Sequence, residues 1–160
     1  MLRSGKRVVD LGCAPGGWLQ VCVRKGVSEL VAIDLLEVEP VPGAFIVQGD
    51  VNESSDVAEM MTGLSGAPDL VLSDMAANTT GHKQTDSLRT AALADMGLDF
   101  AIAHLRPGGA FCSKVFQGGA TPAMMARLKQ HFYTGFHNIP PACRSGSPVL
   151  LVVAKGFRGS

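Results

Sequence analysis

A chain of 160 residues with 46% hydrophobic and 18% charged content is large enough for a real core, which excludes a disordered chain. Fourteen basic residues balance fourteen acidic ones, so no net field draws in nucleic acid, and such a partner must be held by a local patch. No apolar run approaches the ~20 residues of a membrane span, and residues 1–6 carry no apolar signal region. A cytoplasmic chain with no membrane attachment is expected.

The elements alternate in type along the chain. Residues 7–11 (Arg-Val-Val-Asp-Leu) form a short apolar run and predict a buried strand. Residues 17–25 put Trp18, Leu19, Val21 and Cys22 on one side of a helix. A second strand, 30–35, closes around Asp34, and a third, 44–48, leads to Asp50. In 56–64, Val57, Met60, Met61 and Leu64 recur at helical spacing. A fourth strand, 70–73, runs into Asp74-Met75. Residues 84–105 predict a long helix, stopped by Arg106-Pro107-Gly108-Gly109. A fifth strand, 110–115, contains Lys114, and a helix over 123–131 turns Met124, Met125 and Leu128 inward. No element is assigned between 131 and 149. The last strand, 149–154, follows the Pro140-Pro141 break, which leaves antiparallel entry open to it.

Strands separated by helices in this rhythm imply a mostly parallel sheet covered on both faces. The expected fold is a Rossmann-like three-layer α/β/α sandwich, with residues 1–160 as a single domain. Cys13, Cys22, Cys112 and Cys143 lie far apart without a C-x-x-C pair, which predicts reduced thiols rather than disulfides or a zinc site. His82, His104, His131 and His137 have no partners at metal spacing, so no metal is expected.

The chemistry concentrates at Val8-Val9-Asp10-Leu11-Gly12-Cys13-Ala14-Pro15-Gly16-Gly17-Trp18, a strand, a glycine-rich turn and a helix start. Glycine has no Cβ, so such a turn lets backbone pass close to a ligand. The spacing is not the G-x-G-x-x-G of dinucleotide binding, which argues against a nucleotide-dependent oxidoreductase. Asp10 just before the turn points instead to a cofactor with a cationic end. Asp34, Asp50 and Asp74 also fall at strand ends, which share one rim in a parallel sheet. At that rim Asp34 is suited to accept from both hydroxyls of a nucleoside ribose, and Asp50 from an adenine amino group. Helix capping and turn formation are the plainer roles for the same acids.

Four stretches carry a family resemblance: the glycine motif above, Ala-Ile-Asp-Leu-Leu, Leu-Ser-Asp-Met-Ala, and Ser-Lys-Val-Phe-Gln-Gly. With the closing Ala-Lys-Gly-Phe-Arg-Gly, they resemble the FtsJ/RrmJ (RlmE-like) type of ribosomal RNA ribose 2′-O-methyltransferases. The likeness runs in order from about Arg7 to the C-terminus. It implies a methyltransferase fold, S-adenosylmethionine (SAM) as cofactor, and methyl transfer to a ribose 2′-hydroxyl, of uridine, in large-subunit (23S-type) ribosomal RNA. The implied partner is that RNA or the large ribosomal subunit, met by a monomer. By position, it also implies SAM contacts at Gly16, Trp18, Asp34, Asp50 and Asp74, with Lys114 and Asp74 catalytic.

Methyl transfer asks chiefly that oxygen, methyl and sulfur be aligned and one proton removed. Lys114 is expected to face Asp74 if their strands are neighbours. Trp18, the only tryptophan, either walls the cofactor pocket or packs helix to sheet. Two departures from the family pattern favour binding over turnover. The family's first catalytic lysine lies upstream of the glycine motif, where six residues stand here, and its glutamate on the last strand is matched by Val149. A lysine acts as a base only when neutral, and a second lysine nearby favours that state. The alternative reading is therefore a catalytically weak SAM-binding module.

For RNA the basic residues form only small groups: Arg3, Lys6 and Arg7; Arg24 and Lys25; Arg127 and Lys129; Arg144; Lys155 and Arg158. Each group suits ordinary solvated surface equally well. The 78–83 loop, with His82 and Lys83, is the expected substrate contact because it follows Asp74.

Overall fold

The computed structural model describes residues 5–12, 17–75, 83–116, 122–139 and 149–159. In chain order the elements are β1 (Arg7–Leu11), α1 (Gly17–Arg24), β2 (Glu29–Asp34), β3 (Phe45–Gln48), α2 (Ser54–Met61) and β4 (Leu70–Ser73). These are followed by α3 (Lys83–His104), β5 (Ala110–Phe116), α4 (Pro122–His131), β6 (Phe132–Ile139) and β7 (Val149–Phe157). One seven-stranded sheet forms in the order β3-β2-β1-β4-β5-β7-β6. The first five strands in that order pair in parallel, while β7 runs antiparallel to both β5 and β6.

β1 and β4 have the bounds expected from sequence, the other expected elements differ by one to three residues at an end, and β6 is an addition. Its aromatic residues suit a strand, yet it follows α4 with no glycine or proline between His131 and Phe132 to mark a boundary. Gly135 sits inside it, and the register shifts at Phe136/His137, so its alternation is broken.

The period of two along each strand sorts the core into two layers. Val9, Leu11, Val31, Ile33, Val71 and Phe111 face one side, with Met60 of α2, Leu98 of α3, and Met124 and Leu128 of α4. Val8, Leu30, Ala32, Leu70, Leu72 and Cys112 face the other, with Leu19 and Cys22 of α1. Helices thus cover both faces, as expected of the three-layer sandwich. Cys22 and Cys112 are free, buried thiols, while Cys13 and Cys143 lie outside the described residues. No helix among the described residues is long and apolar enough to cross a membrane.

Gly12 shows how closely the chain after β4 passes the end of β1. Its φ is +74°, and a Cβ there would stand 2.7 Å from the Cα of Met75 and 2.8 Å from its N. Both the left-handed backbone and the approach of a second backbone require glycine. Gly12→Ala is expected to cost at least about 2 kcal/mol of stability, read as a lower urea midpoint. An unchanged midpoint would show that the turn relaxes freely.

Candidate active site

β1 has β2 on one side and β4 on the other, and the chain winds outward in opposite directions from it. Ligands of open α/β sheets lie in the crevice at the carboxyl ends of such strands. Register brings the chemistry together there. Ile33, Leu11, Ser73 and Ser113 align across β2, β1, β4 and β5, so the following residues, Asp34, Gly12, Asp74 and Lys114, form the next row outward. Backbone bonds extend the ladder past the strands: Gly12 N donates to Ile33 O, Asp74 N to Leu11 O, and Gly49 N to Asp34 O, each at 2.9 Å.

A pocket of about 330 Å³ opens at this rim. Asp34, Asp50 and Asp74 line it together, with Gly12 and the apolar Leu36 and Met96 also in the lining. Leu35 and Leu36 are 68% and 66% exposed, an apolar lip that a planar ring can cover. Asp34 Oδ1 accepts from Leu36 N at 2.8 Å, and Asp50 Oδ1 from Asn52 N at 2.8 Å. Asp50 N itself donates to Asp56 Oδ2 at 3.0 Å. Asp56, six residues on in the first turn of α2, therefore positions Asp50; the spacing Asp-x5-Asp alone gave no sign of this.

Asp10 lies two residues deeper on the same face as Asp34 and Asp74, level with Ala32 and Leu72. It is 1% exposed, and neither carboxylate oxygen has a hydrogen-bond partner among the described residues. Burial pushes its carboxyl well above the usual range, and the Asp74 and Asp34 carboxylates push it further. The sequence reading placed Asp10 beside a cationic ligand; its unfilled hydrogen-bonding capacity appears only in the fold.

Lys114 and Asp74 meet across the β4–β5 pair, as neighbouring strands require. Lys114 Nζ donates to Asp74 Oδ1 at 2.8 Å. Burial raises the Asp74 carboxyl, the Lys114 hydrogen bond and charge pull it down, and Asp34 adds a smaller upward push. Asp74 is the member of the pair that lines the pocket, and Lys114 stands next to it outside the lining. Gly16 lies outside the described residues, as do the side chain of Trp18 and the 78–82 loop with its His82. Val149 pairs with Phe116, two residues beyond the Leu151–Lys114 pair on β7 and β5.

The arrangement fits SAM. A buried carboxylate without a hydrogen-bond partner among the described residues and three more at the rim suit a ligand carrying a sulfonium and an ammonium, and the apolar lip suits its adenine. No group of three His, Cys, Asp or Glu among the described residues could hold a metal ion.

Sheet order and rim together define a nucleoside-binding α/β enzyme whose ligand is cationic. The model of the FtsJ-like methyltransferase family matches residues 1–157. The chain belongs to that family, and it is a methyltransferase that uses SAM. Ribosomal RNA large subunit methyltransferase E of Hyphomonas neptunium is 65% identical over 158 residues, covering 99% of this chain and 68% of that protein. The protein of the same name from Caulobacter sp. is 51% identical over 157 residues, 98% of this chain and 70% of its own length. A crystal structure described as a ribosomal RNA methyltransferase, from Plasmodium falciparum, superposes with a TM-score of 0.84 at 25% identity, covering 100% of this chain and 91% of that one. None of these favours the reading as an inactive binding module.

Proposed function

We propose that this chain transfers the methyl group of SAM to a ribose 2′-hydroxyl, of uridine, in large-subunit (23S-type) ribosomal RNA. The observation that carries the reading is the 2.8 Å Lys114–Asp74 pair at the rim of an acid-lined pocket. The names of the relatives supply the class of RNA. When bound, SAM supplies a methyl on a sulfonium, an electrophile whose leaving group is a neutral thioether.

The rest is the work of side chains. Lys114 Nζ in its neutral form takes the hydroxyl proton as the ribose oxygen bonds to the methyl carbon, so no alkoxide is released into the site. Asp74 Oδ1 holds Nζ in place through the hydrogen bond it accepts. Asp34 accepts from the nucleoside ribose, Asp50 accepts from the adenine amino group, and Asp10 offsets the cationic end. Gly16 and Trp18 keep the cofactor contacts that family membership implies. This chemistry needs no metal. A single domain over residues 1–160, acting as a monomer in the cytoplasm on ribosomal RNA, completes the reading.

Asp34→Ala is expected to weaken SAM binding by roughly 1–3 kcal/mol through lost charge-assisted hydrogen bonds, measured by calorimetry. Equal affinity in the two proteins removes Asp34 from the site. Tritium transfer from SAM to ribosomal particles, with the label mapped to a 2′-oxygen of large-subunit RNA, tests the reaction itself. Label on a base or on protein overturns it.

A further inference from the structure

A net charge of zero hides a division along the chain. All fourteen Asp and Glu lie at or before Asp99, and seven of the fourteen Lys and Arg follow it, so residues 1–99 carry a formal −7 and residues 100–160 a formal +7. Sheet order turns this into two halves in space. β3, β2, β1 and β4 belong to the acidic stretch, and β5, β7 and β6 to the acid-free one. The acidic half holds the pocket for a cationic donor. The basic half suits a polyanion.

Within that half, one place is built for more than charge. Arg127 of α4 is neutralised by Asp95 and Asp99 of α3. Lys129, Lys155 and Arg158 make no ion pair among the described residues. The pairing of β6 with β7 gathers groups that are remote in sequence. Thr134 pairs with Lys155, and Arg158 N donates to His131 O at 2.8 Å. There the Arg158 guanidinium carbon lies 4.2 Å from the centroid of the Tyr133 ring, and Tyr133 is 64% exposed. Gly156 has φ +71°, and a Cβ on it would come within 3.2 Å of Tyr133 Cβ, so glycine lets the tyrosine lie close against β7.

An exposed ring stacked with a guanidinium, with Lys155 on the same strand as Gly156 and Lys129 in the last turn of the preceding helix, both without an ion pair among the described residues, has the parts that hold unpaired RNA. Cations meet the phosphates, and planar faces meet the bases. We propose that the β6–β7 end, centred on Tyr133 and Arg158 with Lys129 and Lys155, is a second RNA contact that grips single-stranded RNA away from the target nucleotide. The proposal rests on the RNA methyl transfer argued above. Leu151 of β7 stands opposite Lys114, and β7 runs antiparallel to β5, so the patch lies toward the end of the sheet remote from the catalytic rim. At ~3.3 Å per residue, Arg158 is roughly 23 Å along β7 from Leu151. Only an RNA extending well past the methylated nucleotide reaches both.

Fluorescence anisotropy with a long unstructured RNA and with a dinucleotide tests this, using wild type, Tyr133→Ala, Arg158→Ala, Lys155→Ala and, on the acidic half, Lys25→Ala. Each patch variant is expected to lose about five- to twentyfold in affinity for the long RNA, with dinucleotide binding, SAM affinity and Tm unchanged. Lys155→Ala is also expected to lower the salt slope by about one. Equal long-RNA affinity in wild type and patch variants overturns the proposal, as does an equal loss in Lys25→Ala. A loss seen on intact ribosomal particles but absent on deproteinised RNA overturns it in favour of a protein partner. Tritium transfer on the same particles separates the two readings. RNA bound through the patch with no label in ribosomal RNA defeats the assigned reaction alone, whereas normal labelling with unaltered RNA affinity defeats the patch alone.

Discussion

Lys114→Ala is expected to lower methyl transfer by about 10²–10⁴-fold while leaving SAM affinity nearly unchanged. The amine is held 2.8 Å from Asp74 beside the pocket, so its role falls on the hydroxyl proton in the transition state rather than on the bound cofactor. The companion variant Lys114→Arg separates two ways of acting. Arginine keeps the positive charge and a hydrogen bond to Asp74, but its guanidinium does not give up a proton at workable pH. If Lys114 is the base, the arginine variant is as inactive as the alanine one. If Lys114 works only as a fixed charge, arginine restores much of the rate. Unchanged turnover in Lys114→Ala would falsify the assignment of the base. Single-turnover tritium transfer and calorimetry on the three proteins give both readouts.

Asp10→Asn is expected to stabilise the ligand-free chain and weaken its hold on SAM. In the wild type the folded carboxyl is raised above its unfolded value by burial and by Asp74 and Asp34, and it has no hydrogen-bond partner among the described residues. A raised folded pKa contributes stability that is fully present below the unfolded pKa of about 3.9. That contribution is lost as pH rises from the unfolded pKa through the folded one, because over that window the unfolded chain has released a proton that the folded chain still holds. Each unit of elevation is a loss of about 1.4 kcal/mol at high pH. The difference in stability between Asp10→Asn and wild type therefore starts small near pH 4 and grows in favour of the variant toward neutrality. Urea unfolding across that range measures it. A difference that stays flat with pH shows that Asp10 titrates in the fold as it does in the unfolded chain, since a carboxyl kept protonated throughout gives the steepest rise. SAM titration supplies the second arm, and equal affinity in the two proteins takes Asp10 out of the cofactor site.

Both predictions depend on features that differ in how they are read. The strands were readable because 7–11, 70–73 and 110–115 are short apolar runs bounded by turn residues, and α2 because Val57, Met60 and Met61 recur at helical spacing. Asp34, Asp50 and Asp74 were readable as rim residues because parallel strands put their carboxyl ends on one side. β6 was not, since α4 runs into it without a break and a register shift interrupts its alternation. Asp56 was not, because its bond to the Asp50 backbone depends on how α2 meets the end of β3.

Local pattern in the chain determined the order and type of most elements, the glycine turn after β1 and the acids at the strand ends, since these follow from periods of 2 and 3.6 and from what glycine permits. It also contained the charge division at Asp99, but without the sheet order that division had no place in space. Tertiary structure alone decided that β4 and β5 are neighbours, which brings Lys114 to Asp74 across forty residues of sequence. It alone left Asp10 buried without a partner among the described residues, and it alone stacked Arg158 on Tyr133. The physical reason is common to all three. Register, burial and the pairing of side chains arise between segments that are distant in the chain, and no window of sequence contains both members of such a contact.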